Sequence, residues 1–140
     1  MGYFWQIPQR GSTQSGFTYN LGLTQAGEKT TYALSFQGGY QEVYFTTENL
    51  GPTRYDRAIA SISHRLTQRL TLGLLGVVGD SQFYSSGRKD WYWQPTGTAT
   101  YQLFRWMSLS LNAYHLQSYS NINGLDYAEN RVTFWVNLTD

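Results

Sequence analysis

The chain has 140 residues, which fits one domain that is large enough to bury a core of its own. Charged residues make up only 14% and aromatic residues 17%, whereas an ordinary soluble protein carries about 25% charged residues. This composition excludes a disordered chain, and the net charge of +1 excludes a strong nucleic-acid-binding field. The chain has no cysteine, which excludes disulfides and thiolate chemistry.

No apolar run approaches the ~20 residues of a membrane helix, so a helical membrane protein is not expected. Met1 is followed by an aromatic segment rather than by a basic and then apolar leader. We therefore expect either a mature form or a fragment of a longer protein.

Eight segments alternate apolar and polar residues, the first of them less regularly than the others. A period of two is the pattern of half-buried β-strands, and no stretch shows helical periodicity. Pro95 cannot donate to a ladder, so we expect it at a bulge or an unpaired position. In chain order, the predicted strands are Gly2–Pro8, Ser15–Thr24, Thr30–Gln41, Arg57–Leu66, Leu70–Val78, Asp90–Leu103, Met107–Tyr114 and Arg131–Leu138.

The connections between these strands alternate in length. Short turns are predicted at 25–29, 67–69 and 104–105, and long loops at about 42–54, 79–89 and 118–128, while a polar turn over Gln9–Gln14 follows the first strand. Short turns at one end and long loops at the other are typical of a bacterial transmembrane β-barrel. The predicted fold is thus all-β, an antiparallel up-and-down transmembrane barrel with about eight strands in a single domain.

A soluble lipocalin-like barrel or a β-sandwich would also alternate, so the polar face has to discriminate. In a soluble protein that face should carry Lys and Glu, but here it carries mainly Thr, Ser, Gln, Asn and Gly, which favours a wet or hydrogen-bonded barrel interior. Arginines at strand ends could ring a lumen and favour anions, or could meet headgroups and turn carboxylates instead. The pore-lining candidates are Arg57, Arg65, Arg69, Gln94, Thr96, Thr98, Asn112 and Arg131.

The apolar face has aliphatic residues toward strand middles and aromatic residues toward many strand ends. This placement is typical of the aromatic girdles that mark membrane interfaces. The predicted interface aromatics are Tyr32, Tyr40, Trp91, Trp93, Tyr101 and Trp106.

Two segments carry a resemblance to a known family. Asp126–Thr133, DYAENRVT, and the strand–turn–strand unit Tyr55–Leu72 resemble a family of outer-membrane β-barrel porins found with exopolysaccharide and PEP-CTERM loci in Gram-negative bacteria. A weaker echo runs from Tyr101–Leu103 through Ser108–Leu111. The resemblance implies an outer-membrane barrel that passes or anchors extracellular polysaccharide. The family's barrels exceed eight strands, so the chain is either a complete small barrel or the C-terminal part of a larger one.

Catalytic interpretations are weaker. His115 lies near Ser118 and Ser120, and lipid A deacylases place a His and a Ser at a barrel rim, but their tight spacing is absent here. His64 fits an interfacial role, and no metal-ligand spacing stands out. We therefore expect no enzyme, no cofactor and no metal. The loop tyrosines Tyr84, Tyr119 and Tyr127 could stack on sugar rings or pack the loops.

The leading hypothesis is an outer-membrane barrel acting as a porin-like conduit or a structural barrel, in contact with the lipid bilayer and with polysaccharide. The alternative is a barrel that binds a glycan or another ligand through its long loops. Eight strands that close on themselves nearly fill their interior with side chains. Transport would then require more strands, either from the same parent protein or from a homo-oligomer.

Overall fold

The computed structural model describes residues 1–6, 14–42, 52–84 and 86–139, which form one antiparallel sheet of eight strands. Each strand pairs with its neighbours in the chain, so the topology is up-and-down, as predicted. Within the described ranges, no helix is long and apolar enough to cross a membrane. The strands are β1 Gly2–Gln6, β2 Gln14–Ala26, β3 Thr30–Glu42, β4 Pro52–Arg65, β5 Leu70–Phe83, β6 Arg88–Phe104, β7 Met107–Ser120 and β8 Tyr127–Leu138.

The strands run further than the alternation of hydrophobicity indicates. β5 and β6 continue pairing as far as Phe83 and Arg88, and β7 and β8 as far as Ser118 and Tyr127. The connections 84–87 and 121–126 are accordingly shorter than the predicted loops at 79–89 and 118–128. Backbone hydrogen bonding between strands does not require apolar side chains. Strand pairing therefore extends beyond the segment in which apolar and polar residues alternate. The predicted turn over 9–14 and connection over 42–54 fall largely outside the described residues.

Two local irregularities occur in β6. Pro95 pairs with Gly76 of β5, but the β6–β7 ladder passes from Trp93 to Thr96 without pairing it, consistent with the N–H that proline lacks. The register then shifts by one residue between Gln102 and Phe104, which forms a bulge just before the turn into β7.

The two faces of the sheet differ in composition and in exposure. On β5 the apolar-face residues Leu72 and Leu74 are 40% and 66% exposed, whereas their polar-face neighbours Leu75 and Val77 are only intermediate. No hydrophobic side chain is buried among the described residues, so the sheet has no core of its own. The apolar face is thus the outer, open side, and the polar face is the more enclosed one.

The described strands form an open sheet rather than a closed barrel. Within the described residues β8 pairs only with β7, and β1 pairs only with β2. Gly2 pairs with Thr18, so the β1 side of β2 has no partner from Asn20 to Ala26 in the described part of the chain. Both ends of the sheet therefore present backbone groups that a neighbouring strand could pair.

Candidate functional site

Pairs of aromatic residues bracket the apolar face on two strands. Tyr32 and Tyr40 on β3 are eight residues apart, and so are Trp93 and Tyr101 on β6. At ~3.3 Å per residue, each pair spans about 26 Å along its strand. On strands tilted by about 40° this length corresponds to a band about 20 Å tall, somewhat less than the ~25 Å apolar band of outer-membrane barrels.

The aromatic edge near the short turns is slanted relative to the strand ladder. From Tyr32 the cross-strand pairing leads through Ile62 and Leu74 to Gly97 on β6. Tyr101 lies four residues further along β6 in the direction of the turn. The edge is therefore displaced by four residues over three strands.

The aromatic edge near the loops has the same slant. From Tyr40 the pairing leads through Arg54 and Gln82 to Lys89, and Trp93 again lies four residues further along β6. Four residues are about 13 Å along a strand, and three strand spacings are about 14 Å across the sheet. Two parallel edges with this displacement correspond to a strand tilt of about 40°, inside the ~35–45° range of transmembrane barrels.

The other predicted interface aromatics lie near the same two edges. Trp91 is stacked with Tyr119 at the loop-side edge, with ring centroids 5.8 Å apart. Trp106 lies in the turn between β6 and β7, stacked on Phe104 with centroids 5.3 Å apart. Both pairs present ring surface where a strand leaves the apolar band.

Polar groups on the apolar face also lie near these edges. Tyr19 donates to Asp56 across 2.7 Å at the loop-side edge, and Arg54 Nε donates to the other carboxylate oxygen at 3.0 Å. Two pairs involve a histidine, one at each edge: Nδ1 of His115 lies 2.8 Å from Asn130 Oδ1, and Nδ1 of His64 lies 2.7 Å from Thr30 Oγ1. These polar side chains thus have hydrogen-bond partners near the edges of the apolar band.

The predicted pore-lining residues that belong to strands all occupy polar-face positions, and Arg69 lies in the turn before β5. Arg57 donates to Gln37 Oε1 from Nε at 2.9 Å and from Nη2 at 2.6 Å. Arg131 is 2.7 Å from Glu129 and lies over the ring of Tyr114. The strand residues concerned are Arg57, Arg65, Gln94, Thr96, Thr98, Asn112 and Arg131.

The structure does not bring the four arginines together as one ring. Arg57 and Arg131 lie on the loop side of their strands, whereas Arg65 ends β4 at the turn side, where Nη2 donates to the carbonyl of Glu28 at 2.9 Å. Arg69 is on that same side. Positive charge is therefore divided between the two ends of the polar face.

The geometry required for a His–Ser pair is absent. His115 and Ser118 are three residues apart on β7, so their side chains point to opposite faces of the sheet. Ser118 is 4% exposed, and Ser120 lies on its face rather than on that of His115. His115 faces Asn130 and the ring of Trp93 instead.

Of the three tyrosines predicted to lie in loops, only Tyr84 does. Tyr119 and Tyr127 belong to β7 and β8, because these strands continue past the apolar band. Tyr84 stacks on Tyr40 with centroids 5.9 Å apart and hydroxyls 3.1 Å apart. Ring packing thus engages Tyr84 and, through Trp91, also Tyr119.

Two grooves lie on opposite faces. The larger, about 860 Å³, is lined by residues of six strands, β3 to β8, on the apolar face where small residues such as Ala60, Gly76 and Ala113 leave the backbone exposed. The smaller, about 420 Å³, lies on the polar face of β6, β7 and β8 and includes Trp135. Trp135 is not among the pore-lining residues predicted from the sequence, although it alternates with Phe134 and Val136 and therefore stands on the polar face.

A match to a known protein family agrees with this geometry. No curated protein and no solved structure matches the chain. A family model does match, over residues 1–139, and covers nearly the whole chain. The chain therefore belongs to the family described as Putative beta-barrel porin 2.

Proposed function

We propose that the chain forms part of the wall of an outer-membrane porin, with its apolar face toward lipid and its polar face toward a water-filled passage. The observation that supports this most is the pair of parallel aromatic edges, slanted by four residues over three strands on both sides of the apolar face. A soluble sheet has no reason to keep two such edges at constant spacing, whereas a bilayer of fixed thickness imposes it.

The character of the polar face favours a conduit over a purely structural barrel. Hydroxyl and amide side chains dominate this face on β6 and β7, including Gln94, Thr96, Thr98 and Asn112. Such groups are hydrated without strong attraction to ions of one sign, so polar solutes can pass without being trapped. Exopolysaccharide is proposed as a transported solute on the basis of the sequence resemblance alone.

A passage requires that the sheet be completed. In hydrocarbon every backbone N–H and C=O needs a partner, so the outer side of β8 and the segment Asn20–Ala26 of β2 must be paired, and a wide passage requires that they pair with further strands rather than with each other. We propose that these strands come from the same parent protein or from other copies of the chain. Either source widens the barrel beyond eight strands, which by themselves leave little open lumen.

Conductance in planar bilayers tests the proposal on the refolded chain, with the mass of the assembly measured on the same sample. Stable channels from an assembly of several copies would support a wall completed by oligomerisation. Stable channels that require co-refolding with the remainder of the parent protein would support completion by further strands of that protein. Folded, membrane-inserted protein without conductance in both cases would refute the conduit and leave a structural barrel.

A second candidate, a barrel that binds glycans through its loops, has some support from the exposed ring of Tyr127. It is less favoured because Tyr84 and Tyr119 stack on other aromatic rings. Glycan binding that is lost on Tyr127→Ala, by folded protein that does not conduct, would favour it.

A further inference from the structure

The groove around Trp135 is an unusual place for an exposed indole. Trp135 is 47% exposed on the polar face, where the neighbouring strands β6 and β7 carry mainly hydroxyl and amide groups. It pairs with Ser110 on β7, which in turn pairs with Thr100 on β6. A large aromatic ring thus lies beside a row of small hydroxyl side chains.

The polar side chains in this groove form hydrogen bonds with one another. Thr100 Oγ1 and Ser110 Oγ are 3.2 Å apart, and Asn137 Nδ2 donates to Ser110 Oγ at 3.3 Å. All of the side chains that line the groove are uncharged. The lining residues are Thr98, Thr100, Ser110, Leu111, Asn112, Trp135 and Asn137.

An aromatic face beside neutral donors and acceptors matches the chemistry of a sugar ring. A pyranose has one face of polarised C–H bonds, which the electron-rich face of an indole attracts, and hydroxyls around its edge that both donate and accept hydrogen bonds. The volume of about 420 Å³ falls in the ~300–1,000 Å³ range of small-molecule sites. An anionic ligand would find no positive charge among these side chains.

The groove also lies at a useful depth. On β6 its residues Thr98 and Thr100 fall between Trp93 and Tyr101, the residues that mark the two edges of the apolar band. A ligand on Trp135 would therefore sit within the membrane-spanning part of the passage rather than at its mouth.

We infer that Trp135, Thr98, Thr100, Ser110, Asn112 and Asn137 form a subsite for the ring of a neutral saccharide on the passage wall. The inference rests on the proposed function, because it takes the polar face as the lumen. It assigns that passage a substrate class, neutral saccharide chains, and a contact point between the two aromatic edges.

Saturation-transfer NMR tests the subsite on the chain refolded in a detergent without a sugar headgroup, with maltohexaose as the probe. We expect transfer to the C–H protons of the probe, and at least fivefold weaker binding in Trp135→Ala. Trp106→Ala, which removes an indole in the turn, is the matched control and should bind as the unaltered chain does. Asn137→Ala should weaken binding severalfold, and it provides an independent test if Trp135→Ala does not fold.

Three results would overturn the subsite. These are no binding of maltohexaose by the folded chain, equal binding by Trp135→Ala or Asn137→Ala, and preference for an oligogalacturonate of the same length. Conductance measured in parallel separates the subsite from the proposed function, since channels can form without Trp135-dependent binding and binding can occur without channels.

Discussion

Tyr19 on β2 donates a hydrogen bond to Asp56 on β4 across 2.7 Å, passing over Gly38 on the strand between them. A Cβ on Gly38 would collide with both the tyrosine ring and the carboxylate. The glycine thus allows two strands that are not neighbours to be linked at the loop-side edge of the apolar face.

We expect Gly38→Ala to break this link, because the Tyr19 ring must swing away from the new methyl group. Losing a hydrogen bond to a charged group costs about 1.5–3 kcal/mol, and the lower backbone entropy of alanine returns about 0.5–1 kcal/mol. The net loss of unfolding free energy should be about 0.5–2.5 kcal/mol, measured by denaturant titration in lipid vesicles.

Gly22→Ala is the matched control on β2, since a Cβ there meets nothing within 4 Å. It should leave stability unchanged or raise it by about 0.5–1 kcal/mol. In a Tyr19→Phe background Gly38→Ala should become nearly neutral. An undiminished cost in that background would show that Gly38 is needed for some other reason.

Leu74 tests which face meets lipid. It lies on the apolar face of β5, 66% exposed, so Leu74→Arg should place a charge in hydrocarbon and lower the unfolding free energy by about 2–4 kcal/mol. Thr98→Arg on β6 puts the same charge at similar depth on the polar face, where water should accommodate it with a change within about 0.5 kcal/mol, as for other water-exposed substitutions. Equal costs for the two variants, measured by denaturant titration in vesicles, would contradict the assignment of the faces.

The arrangement of the strands could be predicted from the sequence because the polarity of each side chain indicates which face of its strand it occupies. Leu72 and Leu74 alternate with Thr71 and Gly73, which indicates a half-buried strand, and the short turn at 67–69 indicates that this strand pairs with the one before it. The extent of the strands could not be predicted, since polar residues such as Asp80 pair across the sheet as readily as apolar ones. The slant of the band was likewise hidden, because it depends on the register between strands.

The candidate site, too, was predictable only in part from the sequence. That Thr96 and Thr98 share a face follows from counting residues along one strand. That Trp135 lies beside Ser110 and Thr100 depends on three strands in register, which one strand cannot reveal. The opposite orientations of His115 and Ser118 needed only their spacing and were predictable.

Two tryptophans should report the two environments directly in single-tryptophan variants. Trp93 lies on the apolar face at the loop-side edge, so lipids brominated near the headgroup should quench its fluorescence strongly. Trp135 lies on the polar face, so brominated lipids should quench it weakly and aqueous acrylamide strongly. Strong quenching of Trp135 by brominated lipid would mean that the polar face meets the bilayer.

Asn121 joins the segments 84–87 and 121–126, the two connections at the loop side of the sheet next to β6, through hydrogen bonds. Its Oδ1 accepts from the backbone N–H of Lys89 at 2.7 Å, and its Nδ2 donates to the carbonyl of Gly87 at 3.2 Å. Each bond is worth about 0.5–1.5 kcal/mol, so Asn121→Ala should loosen the start of β6 by about 1–3 kcal/mol without unfolding the sheet. We expect protease cleavage within 84–87 to become roughly tenfold faster in intact vesicles, since 1.4 kcal/mol of local opening corresponds to a factor of ten. Asn20→Ala, an exposed asparagine on β2, should leave the cleavage rate unchanged. If cleavage in Asn121→Ala is no faster than in Asn20→Ala, the bonds of Asn121 do not hold the two connections together.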